Sequence, residues 1–179
     1  MKKYKICIIG LGYVGLPLAF EFSKKFKTIG FDINHQRIKE LKKGIDRTNE
    51  VSKKNILSAI KDNCSNNLIG FYPTSNKSEI KDSDIYIVTV PTPINKNKHP
   101  DLNPLIKASK LVGNCISKNN IVIYESTVFP GATEEICIPV IEKQSNLKLN
   151  KDFFAGYSPE RINPGDQVNT LIKIKKVTS

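Results

Sequence analysis

Apolar positions in this chain gather into short β-rich runs separated by amphipathic stretches, an alternation that predicts strands and helices in turn. Tyr4 to Ile9 reads YKICII, short enough for a strand and apolar enough for one buried on both faces. GLGYVG follows at once from Gly10, and Val14, Leu18 and Phe22 then recur every fourth position, as on one face of a helix. Pro17 fits the first turn of that helix, where no backbone bond is lost. A second strand, Thr28 to Phe31, ends at Asp32 and completes a strand–helix–strand unit. A helix over Arg37 to Lys43 is predicted to stop at Gly44, and a shorter one covers Ile56 to Ile60. Further strands are predicted at Leu68–Tyr72, Ile85–Val90, Ile121–Tyr124 and Phe153–Ala155. Asn103 reads as a helix N-cap with Pro104 in the first turn, and Leu105, Ala108, Val112 and Cys115 form the apolar face behind it. Another helix from about Gly131 carries an internal Pro139, which predicts a kink.

Strands alternating with helices imply an α/β fold of the Rossmann type, a doubly wound, mainly parallel sheet flanked by helices. At 179 residues, with no internal repeat or linker, the whole chain (1–179) reads as a single domain. Hydrophobic content of 39% and charged content of 25% describe an ordinary globular protein. No run of about 18 apolar residues exists to span a membrane, so no membrane partner is expected. The N-terminus lacks the length and cleavage site of a signal peptide, and a cytoplasmic protein is expected. Cys7, Cys64, Cys115 and Cys137 lie far apart with no CxxC pair. That spacing argues against zinc or a disulfide framework, so no metal site is expected and buried reduced thiols are.

The formal net charge of +11 raises nucleic-acid binding as a possibility, and its distribution then weakens it. Arg37, Arg47 and Arg161 are the only arginines; the lysines are scattered among asparagines, with no basic cluster interleaved with aromatics. No specific nucleic-acid partner is expected, whereas a positive field suits anionic dinucleotides and sugar nucleotides.

A lone GxGxxG is weak evidence, but here it joins a strand to a helix, and Asp32 follows 17 residues after Gly15. Gly10 permits the tight turn, Gly12 removes a side chain that would collide with a pyrophosphate, and Gly15 allows close helix–sheet packing. The N–H groups of Tyr13 and Val14 open the helix toward the phosphates. Asp32 is placed to accept hydrogen bonds from the adenosine ribose, and its charge repels a 2′-phosphate, so the cofactor is expected to be NAD.

Five motifs are more specific than a generic dinucleotide fold: GLGYVGLPLA, FDINHQRIKELKKG, VTVPTPIN, YESTVFPGATEE and FAGYSPERINPGD, in that order. The series resembles the UDP-glucose/GDP-mannose dehydrogenase family, above all its bacterial branch acting on UDP-N-acetylglucosamine or UDP-N-acetylgalactosamine for capsule and O-antigen synthesis. The resemblance implies oxidation of the sugar C6 alcohol to a carboxylate in two hydride transfers to NAD, with a cysteine thioester between them. It assigns Gly10, Gly12, Tyr13, Val14, Gly15, Asp32, Arg37, Thr92 and Thr127 to NAD. Thr127 is also implied to position the catalytic water, Glu160 to act as base on it, and Glu160 and Arg161 to meet the UDP-sugar.

Two departures from the family accompany the resemblance. Family members continue well past Ser179 into a central helix, a cysteine-bearing glycine-rich motif and a UDP-binding domain. Where relatives read Lys-Glu-His after PGD, this chain has Gln167-Val168-Asn169. The expectation is therefore the NAD-binding half of a truncated dehydrogenase, inactive alone, working as a homodimer or with a separately encoded C-terminal half. The alternative is a non-catalytic NAD-binding remnant or interaction module.

Overall fold

The computed structural model describes residues 4–60, 69–94, 98–160 and 177–179. Among them, β1 (Lys5–Ile9), β2 (Lys27–Phe31), β3 (Gly70–Thr74), β4 (Ile85–Val88), β5 (Ile121–Tyr124) and β6 (Phe154–Tyr157) form one sheet. Its order is β3-β2-β1-β4-β5-β6, with parallel pairing throughout. The chain leaves β1 toward one edge and returns at β4 to build toward the other. The switch point, and the crevice it opens, therefore lies between β1 and β4.

Helices α1 (Gly15–Ser23), α2 (His35–Lys42), α3 (Lys53–Ala59), α4 (Asn103–Gly113) and α5 (Ile138–Ser145) flank the sheet. Strand alternation divides the core between its two faces. Ile6 and Ile8 pack with Leu16, Ala19, Leu41 and Ile56 beneath α1, α2 and α3. Cys7 and Ile9 pack with Phe31, Leu105, Val112 and Ile141 beneath α4 and α5. Each fully buried Leu, Ile or Phe stabilises the fold by roughly 1.5–3 kcal/mol.

Several boundaries differ from the sequence expectation. Strand β3 runs on through Pro73, and Leu68, its expected start, lies outside the described residues. Proline is tolerated because β3 is an edge strand. Gly70 N donates to Phe26 O and Asp32 N to Thr74 O, so positions 70 and 74 face β2 and position 73 faces away. In α4, Asn103 lies inside the helix and Leu102 is the cap residue, without a side-chain cap bond. Asp101 Oδ1 accepts from Asn103 N at 2.9 Å instead.

Pro139 starts a helix rather than kinking one. A π-helical turn, Thr133–Cys137, runs into α5, which holds Pro139 in its first turn. A proline ring presses on the carbonyl four residues back, and the wider π turn gives it room there. Cys115 lies just beyond α4 rather than within it, and is buried all the same.

Candidate functional site

The glycine motif forms the floor of the switch-point crevice. Gly10 holds φ at +97°, a conformation that favours glycine, and its N–H donates to Phe31 O at 2.8 Å. Thr89 Oγ1 donates to the Gly10 carbonyl at 2.7 Å and fixes the turn from the β4 side. A Cβ on Gly15 would lie 1.8 Å from that carbonyl oxygen and 2.4 Å from Thr89 Oγ1, so α1 can sit this close only through glycine. At Gly12 a Cβ would meet nothing within 4 Å. The chain leaves that space open.

Helix α1 begins with Val14 as cap residue, no side-chain cap bond and no acid in its first turn. Leu16 N donates back to Gly12 O and Pro17 has no N–H, so the N–H groups ahead of them and the positive dipole end are left to an external anion. An open position at Gly12 in front of an uncapped helix end fits a pyrophosphate, so these residues fit NAD.

Asp32, at the end of β2, accepts from Leu11 N through Oδ2 and from Asn34 N through Oδ1, both at 2.9 Å. Each carboxylate oxygen can accept a further bond, and Asp32 borders the cleft. Asn34 caps α2, accepting from Gln36 N and Arg37 N. Arg37, expected at the adenosine end, is only 6% exposed. Its Nε donates to Leu11 O at 2.9 Å and its Nη2 to Asp46 Oδ1 at 2.8 Å, while Nη1 is buried without a hydrogen-bond partner. Arg37 borders the cleft, with Nε and Nη2 committed to Leu11 and Asp46.

Two loops at the strand ends form the opposite wall. Thr92 Oγ1 donates to Thr127 O at 2.6 Å, and Ser126 Oγ to Val90 O at 2.7 Å. These bonds lace the loop after β4 to the loop after β5. Thr127 is exposed and Glu160 half-buried, and both border the same cleft as Gly12, Tyr13, Val14 and Asp32. Its volume, about 1730 Å³, exceeds the ~300–1,000 Å³ of ordinary small-molecule pockets and leaves room for a second ligand beside a dinucleotide. Arg161 lies outside the described residues.

Thr89, Asp46, Arg47 and Thr48 belong to the site or its support and were not among the expected residues. The Asp-x-Thr spacing of Asp46 and Thr48 was the available signal, since such a pair commonly closes a tight side-chain turn.

Cys7, Cys115 and Cys137 are free and buried, and burial pushes all three thiols up in pKa. A thiol held neutral makes a poor nucleophile. Iodoacetamide is expected to leave these three unmodified in the native chain and to label them only after denaturation, as peptide mass spectrometry would show. Native labelling of any one would reopen its candidacy. Among the described residues, no cluster of three or more His, Cys, Asp or Glu could hold a metal, and no helix is long and apolar enough to cross a membrane.

Known proteins share this arrangement. The UDP-glucose/GDP-mannose dehydrogenase family, NAD binding domain, matches residues 4–178. UDP-N-acetyl-D-glucosamine 6-dehydrogenase of Pseudomonas aeruginosa is 55% identical over 100% of this chain, which covers 40% of that relative. Protein CapL of Staphylococcus aureus is 56% identical over 97% of the chain and 39% of its own length. The solved structure of UDP-D-ManNAc dehydrogenase from Pyrococcus horikoshii matches with a TM-score of 0.78 at 31% identity, over 90% of this chain and 37% of that one. The chain thus spans well under half the length of these relatives. With the glycine cradle, Asp32 and the family match in agreement, its cofactor is NAD, and the chain belongs to the UDP-glucose/GDP-mannose dehydrogenase family, of which it carries the NAD-binding domain.

Proposed function

We propose that this chain is the NAD-binding part of a nucleotide-sugar 6-dehydrogenase that oxidises the C6 alcohol of a UDP-N-acetylhexosamine to the uronic acid, for surface polysaccharide synthesis. The observation that carries the proposal is one continuous cleft in which the glycine cradle and Asp32 share walls with Thr92, Thr127 and Glu160. The 55% identity to a UDP-N-acetyl-D-glucosamine 6-dehydrogenase supports the substrate class.

Bound NAD supplies the hydride acceptor. Gly12 and the open end of α1 hold the pyrophosphate, and Asp32 takes the adenosine ribose hydroxyls while its charge disfavours a 2′-phosphate. Thr92, bonded to the Thr127 carbonyl, holds the two strand-end loops at a fixed separation. The Thr127 hydroxyl orients a water molecule, and the Glu160 carboxylate takes a proton from it as it attacks the thioester. Arg161 follows Glu160 in sequence and is assigned to the UDP-sugar.

The thiol of that thioester comes from elsewhere than Cys7, Cys115 or Cys137, whose burial keeps them neutral. A C-terminal part such as these relatives carry beyond the matched region would supply it. The same inert thiols favour a second reading, a non-catalytic NAD-binding module.

NAD-dependent oxidation of UDP-N-acetylglucosamine and UDP-N-acetylgalactosamine, followed at the NADH absorbance band, separates the two. The assay is run with the chain alone and with the C-terminal part of a relative added. Turnover on addition, lost in Glu160→Gln, is the expected result. NAD binding by calorimetry without turnover in either arm would instead establish the non-catalytic module.

A further inference from the structure

We infer that Asp46 is a positioning residue for the cofactor, acting through Arg37 on the Leu11 peptide between the first two glycines of the cradle. The inference rests on the assignment of the cleft to NAD. Leu11 is held at both backbone polar groups by side chains: its N–H by Asp32 Oδ2 and its carbonyl by Arg37 Nε, each at 2.9 Å. Flanking glycines give this stretch little rigidity of its own, so these two bonds set where Gly12 and the following N–H groups stand.

Arg37 can serve in this way only if its buried charge is paired, because an uncompensated buried guanidinium is strongly destabilising. Asp46 supplies the partner, and its side chain is 2% exposed. Its Oδ1 accepts from Arg37 Nη2 (2.8 Å), Thr48 N (3.0 Å) and Thr48 Oγ1 (2.7 Å). Its Oδ2 accepts from Glu50 N (2.9 Å) and Val51 N (3.1 Å). Burial raises the Asp46 carboxyl, but the bonds from Thr48, Arg37 and Val51 outweigh it and hold the group below the usual carboxylate range, so it stays anionic.

The same carboxylate folds the loop that carries Arg47 and Thr48, both of which border the cleft. One buried anion therefore sets two walls of the site, 35 residues away in sequence from Leu11. The relay requires a fork: Arg37 reaches Leu11 with Nε and Asp46 with Nη2 at once, a geometry that the single ammonium of lysine cannot reproduce.

Calorimetric titration of the chain with NAD tests the relay. Asp46→Asn is expected to weaken NAD about tenfold, Arg37→Lys by a similar factor, and the double variant no more than either single one. ADP-ribose affinity falls in parallel. Asp152→Asn, at a surface ion pair with Lys118, keeps wild-type affinity. A purely structural role would lower the stoichiometry, as fewer molecules fold, and leave the Kd of the folded fraction unchanged; that result overturns the inference. Should Asp46→Asn not fold, Arg37→Lys decides alone, and wild-type affinity there overturns it equally. A wild-type chain that binds no NAD refutes the cofactor assignment itself, an outcome distinct from either.

Discussion

Gly15→Ala is expected to lower the stability of the chain by about 3 kcal/mol or more and to abolish NAD binding with it. The added Cβ would stand 1.8 Å from the Gly10 carbonyl oxygen, 2.4 Å from Thr89 Oγ1 and 3.0 Å from the Gly10 carbonyl carbon. None of these atoms is the free end of a flexible side chain. The Gly10 carbonyl is tied to Thr89 Oγ1, Gly10 N to Phe31 O, and Thr89 N to Ile9 O. Since the turn cannot give way, α1 must lift from the sheet. Leu16 and Ala19, both fully buried, then lose their packing, and Leu18 loses part of its own. In a chain of this size each kcal/mol moves Tm by about 2–4 °C, so thermal unfolding should shift down by roughly 6–12 °C. An unchanged Tm would show that the turn is softer than its hydrogen bonds imply.

The same turn shows why this part of the molecule was legible in the sequence. A glycine-bounded strand–turn–helix imposes local steric demands, and Gly10, Gly15 and Asp32 carry them on their faces. Strand β5 appeared with its observed ends because IVIY is both β-branched and bounded by polar residues. Where the outcome depended on the tertiary setting, the sequence was mute. Nothing local tells that β3 is an edge strand and so can carry Pro73, or that a π turn ahead of Pro139 makes room for its ring. Asp46 was missed for a related reason. Loop acids are usually solvated, and only the folded chain brings this one against a buried arginine.

Asp32 and Arg37 show the limit from the other side. Both were expected at the adenosine end by position after the glycine motif, and both border the cleft. Nothing in the local pattern shows that each also holds one end of the Leu11 peptide. A substitution at Asp32 therefore changes the cradle as well as its direct contact with the ribose, so it cannot by itself separate cofactor binding from the integrity of the loop.

Gly12→Ala makes that separation. It is expected to leave stability within about 0.5 kcal/mol of wild type while weakening NAD about a hundredfold, or about 2.8 kcal/mol. Gly12 is not among the positive-φ glycines, so alanine adopts its backbone without strain and restricts the unfolded chain slightly. Its Cβ meets no atom of the chain within 4 Å. What it does meet is the approach to the N–H groups at the open end of α1, which bind a phosphate oxygen only within about 3 Å. The loss should therefore follow the pyrophosphate: affinities for NAD and ADP-ribose fall together, whereas adenosine, which has no phosphate, is held as before. Paired calorimetry and thermal unfolding on Gly12→Ala and Gly15→Ala read the two effects apart, the first in Kd alone and the second in Tm. Undiminished NAD affinity in Gly12→Ala would place the pyrophosphate away from the helix end, elsewhere along the cleft wall.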